Sequence, residues 1–514
     1  MNGAESLVRT LLAGGVDVCF TNPGTSEMHF VAALDSVPGM RCALCLFEGG
    51  VTGAADGYYR MAGKPASTLL HHGPGLANGV ANLHNAKKAG SGIVNIVGEH
   101  ATYHIELNAP LTADIEGIAG PVSHWIKTST SAQDIAQHGA EAIQAAMAPP
   151  GQIATLILPG DTAWNEGSAP VDPLPPITRG IVEERAIDAA AATLAGPDTL
   201  LLLGGAALGE ANLQRAGKIA AKTGCGLLTE WSNTRLDRGA GRIEVNRIPY
   251  VVEKAVAVLK PFKKIVLVGA TAPVAFFAYP DKPSILTQDG TEFIELARVD
   301  EDIDQALDAL VEATGAGKSE PAGISTARRP GLPTGPIDPS GIAAILGHLL
   351  PENAIVVDES VTTGREFFPL TAGAPPHAWL NNKGGSIGYG LPVATGAAIA
   401  SPGQKVIALE GDGSAMYTVQ SLWTIARENL DVTVLVFANR SYKILRGELT
   451  NVGVQNPGPR AIDMLSLDNP SLDWVSMAKG MGVDATKVDD CESLAKAFQA
   501  GLDVAGPYLI EIEL

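Results

Sequence analysis

KVIALEGDGSAMYTVQSLWTIARENLDVTVLVFANRSY, residues 405–442, decides the fold. Two short apolar runs, Val406–Leu409 and Val432–Ala438, suit parallel strands covered on both faces. Between them Met416, Val419, Leu422, Trp423 and Ala426 recur at helical spacing. Gly411-Asp412-Gly413-Ser414 falls where the first strand ends and the helix begins, and Asn439 where the second strand ends. Open parallel sheets bind ligands just outside the carboxyl ends of their strands, so Asp412 and Asn439 can meet there. Glycines let backbone approach an anion closely, and a helix N-terminus offers it free N–H groups. A carboxylate and an amide carbonyl are hard oxygen ligands suited to Mg²⁺, which keeps phosphate oxygens as further partners. Taken alone, Gly-Asp-Gly is equally a tight turn and Asn439 a strand-end cap.

The full pattern is more specific. GDGS, then 24 residues holding a helix and a strand, then Asn439 resembles the thiamine diphosphate binding motif. The chain resembles the family of acetolactate synthase, pyruvate oxidase and benzoylformate decarboxylase, strongly at both ends and weakly in the middle. That resemblance implies Mg²⁺ held by Asp412, Asn439 and the backbone carbonyl of Ser441, with Tyr442 beside it. Gly411, Gly413 and Ser414 would lie along the diphosphate. The Thr362 and Thr363 hydroxyls would bond phosphate, as that loop does in relatives. In NNKGGSIGYGLP, residues 381–392, Ile387 would bend the cofactor and the Gly385 carbonyl would accept a bond from its 4′-amino group.

Composition fits a large, well-buried globular chain. It has 514 residues, 46% of them hydrophobic and 18% charged. A formal net charge of −19 argues against nucleic-acid and anionic-membrane partners. Five cysteines, one pair spaced as Cys42-x-x-Cys45, are too few and too scattered for a disulfide framework. Cys42 and Cys45 read as buried strand residues. The N-terminus lacks a signal-peptide pattern and no apolar run is long enough to span a bilayer, so a cytoplasmic protein is expected.

Residues 1–168 alternate helix and strand, with strands expected at Val16–Phe20, Cys42–Phe47, Ser67–Leu70, Ile93–Val97 and Ile153–Leu158. Glu48 ends an apolar run before Gly49-Gly50 and is by position alone a helix N-terminal charge. FEGGVTGAADGYYRMAGKPA resembles the family segment with the cofactor-activating acid, which falls on Glu48. There a Glu in apolar surroundings, its pKa raised, shares a proton with the pyrimidine ring. His71 lies 23 residues beyond Glu48, the offset of the active-site histidine in benzoylformate decarboxylases. A hydrogen-bonded structural histidine is the plainer reading of a strand end. Thr25 and Ser26, within NPGTSE, fall near those enzymes' active-site serine.

A proline-rich linker over residues 169–177 leads to a middle domain, 180–315. No dinucleotide fingerprint follows its strands at Thr199–Leu203 and Ile265–Val268, so FAD is not expected. The decarboxylases' second histidine has no counterpart in EWSNTRLDRGAGRIEVNRIPY, which offers Arg235, Arg238, Arg242 or Asn246 for that space. A second linker, 316–338, precedes the third domain, 339–514. Residues 443–470 read as an irregular, mobile cover.

The expected architecture is α/β: three doubly wound domains with parallel sheets, binding the pyrimidine, standing between, and binding the diphosphate. The resemblance implies a homodimer or homotetramer, with Glu48 of one subunit meeting Asp412 of another. It implies non-oxidative decarboxylation of a small 2-oxo acid through an enamine. The alternatives are an acetolactate-synthase-type carboligase and a cofactor-binding but inactive paralogue.

Overall fold

A computed structural model describes residues 1–514. The first sheet has six parallel strands, in spatial order Arg41–Leu44, Val18–Asn22, Ala66–His71, Ile93–Glu99, Ile153–Pro159 and Trp125–Thr128. The second has five: Asn246–Arg247, Gly226–Thr229, Thr199–Leu203, Lys264–Val268 and Glu292–Ala297, all parallel. The third has seven: Asp484–Val488, Tyr508–Glu513, Val432–Ala438, Val406–Gly411, Ile355–Glu359, His377–Asn381 and Leu236–Arg238. The last of these comes from the middle of the chain and runs antiparallel to His377–Asn381. Apart from that strand the third sheet is parallel, and its interior strand Val432–Ala438 is buried at every position. Helices cover both faces, so these strands read as unbroken apolar runs rather than alternating ones.

The first and third sheets share one apolar core, running from Phe20 and Leu70 to Val357, Leu391 and Val434. Its seam is the contact between helix Glu48–Ala62 and helix Gly390–Ala400. A Cβ on Gly57 would lie 2.7 Å from Val393 Cα, and one on Gly396 would lie 2.6 Å from the Tyr58 amide nitrogen. The two backbones therefore touch. Beside the seam, buried Arg60 pairs with Asp56 at 2.7 Å and donates to the Asn381 carbonyl at 2.7 Å. The pair keeps the guanidinium charge compensated where burial alone would be costly.

Several expectations need correction. The second strand stops at Leu44, and Phe47 is already the N-cap of the next helix. Cys45 is buried but Cys42 is exposed, because it lies on an edge strand. The helix after Gly411 is broken into Asp412–Ala415, a 3₁₀ turn Met416–Thr418 and Ser421–Arg427. Residues 443–470 contain two helices, Lys443–Asn451 and Pro459–Asp463, neither with a buried residue. Lys282 Nζ donates to Asn451 Oδ1 at 3.0 Å and tethers the first of them to the middle segment. No helix is long and apolar enough to cross a membrane.

Candidate active site

Strands Val406–Gly411 and Val432–Ala438 are neighbours, and their carboxyl ends bring Asp412 to the Asn439 turn. Asp412 Oδ2 accepts the Arg440 N–H at 2.7 Å and Oδ1 accepts that of Gly413 at 2.9 Å. Asn439 Oδ1 accepts from the Ser441 amide at 3.0 Å and the Ser441 hydroxyl at 3.2 Å. Arg440 turns through the left-handed region, φ +54°. Gly413 has no room for a Cβ, which would sit 2.5 Å from the Tyr442 ring. Burial raises the Asp412 carboxyl above its ordinary value, against the pull of the Arg440 and Gly413 amides. A divalent cation would reverse that shift. Ser414, Ser441 and Thr363 are buried beside this corner, while Thr362 caps the 3₁₀ turn Thr363–Glu366.

The GGSIGYG loop carries Gly385 at φ +80° and a half-buried Ile387. It is pinned from the first sheet's helices: Asn85 Nδ2 donates to the Ser386 carbonyl at 2.8 Å and Asn82 Nδ2 to that of Gly388 at 3.2 Å. From the middle segment, Phe276 closes on it, and a Cβ on Gly385 would lie 2.7 Å from that ring. Phe276 belongs to an aromatic cluster with Trp231, Tyr250 and Phe277, ring centroids 4.6–6.1 Å apart.

Glu48 opens its helix and accepts from Asn78 Nδ2 at 3.0 Å on a partly exposed face. The apolar surroundings expected for it are not supplied by this one chain. A Cβ on Gly75 would lie 3.2 Å from Glu48 Oε1 and 3.5 Å from His71 Cβ. Gly75 thus brings Glu48 and His71 to one place.

His71 does not stand alone. Its Nδ1 meets Glu27 Oε2 at 2.7 Å, and the same oxygen accepts the Gly24 N–H at 2.7 Å. His72 follows it at φ +51°, with its ring buried between Ser26 and Glu99. Ring centroids step 4.6 Å from His71 to His72, 4.5 Å on to His100 and 5.2 Å to His104. Sequence reasoning weighed His71, Thr25 and Ser26 but passed over His72, Glu27, Glu99 and His100. Thr25 is exposed and Ser26 half-buried.

A second missed feature lies beneath the loop. Glu359 and Glu410 sit side by side at the ends of adjacent parallel strands. Glu359 accepts N–H bonds from Gly388, Tyr389 and Gly390 at 3.2, 3.3 and 2.9 Å. Burial lifts it to about 7 against those donors. Glu410 is fully buried with no hydrogen-bond partner on either oxygen. Burial, then the charge of Glu359, raises it well above the usual range, so Glu410 is the neutral member of the pair.

The four polar residues considered for the absent middle histidine serve other ends. Arg238 is buried over the Phe368 ring, 3.7 Å from its centroid, and bonds Thr371 Oγ1 at 2.7 Å. Arg242 bonds Glu210 and the His377 carbonyl, Arg235 pairs with Asp237, and Asn246 lies exposed on an edge strand. Arg238 and Arg242 tie the middle segment to residues 368–377 beside the third sheet's edge, while Arg235 stays within its own segment and reaches the Arg60 carbonyl.

This fold and this corner define a thiamine diphosphate enzyme. Residues 1–120 match the N-terminal TPP binding domain of thiamine pyrophosphate enzymes, and residues 363–512 match their C-terminal TPP binding domain. The chain belongs to that family, the one that holds the acetolactate synthases and benzoylformate decarboxylases, and is a thiamine-diphosphate-dependent enzyme. It is 49% identical, over 100% of its length and 99% of the relative's, to a Mycobacterium tuberculosis chain provisionally named acetolactate synthase large subunit IlvX. It is 29% identical to the benzoylformate decarboxylase of Pseudomonas aeruginosa, over 97% of this chain and 96% of that one. A thiamine diphosphate-dependent 4-hydroxybenzoylformate decarboxylase from Rhodococcus jostii RHA1 shares the fold. Its TM-score is 0.86 at 24% identity, covering 100% of this chain and 99% of that one.

Proposed function

We propose that this enzyme decarboxylates small 2-oxo acids non-oxidatively, with Mg²⁺ linking the cofactor's diphosphate to Asp412, Asn439 and the Ser441 carbonyl. Residues 1–168 would form the pyrimidine-binding domain, 180–315 the middle domain, 316–338 a linker and 339–514 the diphosphate-binding domain. The reading rests chiefly on one observation: Glu48 and His71 both border Gly75, whose Cβ would stand 3.2 Å from Glu48 Oε1 and 3.5 Å from His71 Cβ. Thiamine diphosphate, when bound, supplies the nucleophilic carbon and the electron sink for loss of CO₂. Gly411 and Gly413 would bring backbone to the diphosphate, Ser414, Thr362, Thr363 and Tyr442 would hold it, and Gly385 and Ile387 would hold the rest of the cofactor. Glu48 holds a proton at the pyrimidine. His71, oriented by Glu27 and aided by Ser26 and Thr25, binds the acid and moves protons.

Glu48 is half-buried in one chain. A partner subunit facing it would supply the apolar surroundings that its role needs, which points to a homodimer or homotetramer with sites at the interface. The second reading, carboligation as in acetolactate synthases, is favoured by the similarity to the Mycobacterium tuberculosis relative. Purified enzyme with thiamine diphosphate and Mg²⁺ is assayed for CO₂ across pyruvate, branched 2-oxo acids and benzoylformate. An aldehyde as sole organic product supports the decarboxylase. A hydroxy-ketone or a 2-hydroxy-2-alkyl-3-oxo acid supports the carboligase. Bound cofactor without turnover of any acid overturns both in favour of an inactive paralogue. Flavin absorbance in the purified protein would overturn the expectation that FAD is absent.

A further inference from the structure

We propose that Ser26, His72 and Glu99 form a proton relay that ends at the Ser26 hydroxyl, on the cofactor side of the first sheet. The assignment of its proton to the carbon vacated by CO₂ rests on the decarboxylase reading above. The relay's geometry does not.

The three residues come from the carboxyl ends of three neighbouring strands. Ser26 lies in the 3₁₀ turn after Val18–Asn22, His72 opens the helix after Ala66–His71, and Glu99 ends Ile93–Glu99, where it pairs with Pro159. Ser26 Oγ is 2.6 Å from His72 Nε2, and His72 Nδ1 is 3.2 Å from Glu99 Oε1. Hydroxyl, imidazole and carboxylate thus stand in the order that moves a proton along a line. Ser26 is half-buried, while His72 is 1% and Glu99 5% exposed. Glu99 Oε1 also accepts the His100 N–H at 2.7 Å, which fixes the carboxylate that fixes the ring.

His72 holds a left-handed backbone conformation that non-glycine residues rarely adopt, and such strain persists where the surroundings over-determine it. Here the two ring bonds do so. With Glu99 ionised, Nδ1–H donates to it and Nε2 is the working nitrogen. In the forward step His72 is protonated on both nitrogens. Ser26 Oγ–H gives its proton to the reacting carbon as Oγ takes the proton from His72 Nε2. A neutral ring remains, its Nδ1–H still held by Glu99. Removal of the substrate's hydroxyl proton, passed through Ser26 to Nε2, restores the charged ring as product leaves.

The charged and titratable groups around His72 are Glu99, His100 and His104 on one side and Glu27 with His71 on the other. Burial, followed by the neighbouring His72, lowers His100.

Neutron diffraction from deuterium-exchanged crystals of the full-length protein reads the relay without any turnover. Deuterium on His72 Nδ1 facing Glu99, with Ser26 Oγ hydrogen-bonded to Nε2, is expected. A bare Nδ1, or a metal ion between His72, Glu99 and His100, overturns the relay. In kinetics, Glu99→Gln should cut kcat by roughly 10²-fold and flatten the pH limb that Glu99→Asp restores, with thiamine diphosphate affinity unchanged. An unaltered pH profile in Glu99→Gln overturns it. Should wild-type enzyme release CO₂ from no 2-oxo acid, the decarboxylase reading fails and the neutron result alone judges the relay.

Discussion

The first and third sheets each bury two acids at the carboxyl ends of their strands or in the turns that follow, and they solve the problem in opposite ways. Glu27 and Glu99 are met by imidazoles, at 2.7 and 3.2 Å. Glu359 and Glu410 have only each other, backbone N–H groups and Asn382, and one of them keeps its proton. What differs is whether a base stands within reach: imidazoles hydrogen-bond Glu27 and Glu99, whereas burial holds Glu359 and Glu410 above the ordinary carboxylate range beneath the loop. The histidines therefore mark where the fold can pass protons along, and the lone carboxyls mark where it holds one in place.

Removing a base's partner should have the largest effect. Glu27→Gln leaves His71 without its carboxylate partner, and kcat for the decarboxylation proposed above should fall by about 10²-fold, read by steady-state CO₂ release. An unchanged kcat would reduce Glu27–His71 to scaffolding and erase the contrast. At the other sheet, Glu410→Gln should raise stability to urea at pH 8 by on the order of 2 kcal/mol, and by far less at pH 5. The sign follows from Glu410, which burial and then the charge of Glu359 raise well above the usual range, so its acid form is favoured in the folded state. Glu359, at about 7 against the ordinary 4.5, adds a contribution that is complete below about pH 4.5, shrinks as pH rises and is gone above about 7. Wild-type protein should accordingly lose urea resistance between pH 5 and 7.5, and Glu410→Gln should lose less of it, since burial by itself still raises Glu359; tryptophan fluorescence measures the difference in slope. The smallest change is expected outside both clusters. Arg41 and Glu428 pair at 3.3 Å with Arg41 45% exposed, and Arg41→Ala should shift stability by under about 0.5 kcal/mol.

Much of this was legible in the sequence because strand ends announce themselves. An apolar run broken by GDGS, and another by Asn439, located the Asp412 corner, since parallel strands buried on both faces tolerate polar residues only at their ends. The same signal stood at IVGEH, where Glu99 closes an apolar run as Glu48 does, and it was passed over. His72 was hidden by its neighbour: doubled histidines give no clue which ring turns inward until the backbone takes φ +51°. Glu359 and Glu410 were illegible for another reason. Each follows an apolar run and looks like a solvent-facing strand end, and only the register that sets them side by side reveals the shared burial. The arginines of residues 235–242 misled because charge suggested chemistry, whereas aromatic stacking and carbonyl partners claimed them.

The short strand Leu236–Arg238 has a consequence for how the chain can be taken apart. Both linkers look like natural cutting points, yet this strand crosses from the middle of the chain to seal the rim of the last sheet. A fragment starting at residue 339 would carry His377–Asn381 as an open rim with unpaired N–H and C=O groups, an invitation to edge-to-edge stacking between copies. Anyone dissecting this enzyme for expression or domain exchange should carry residues 236–238 along, or cap that rim by design.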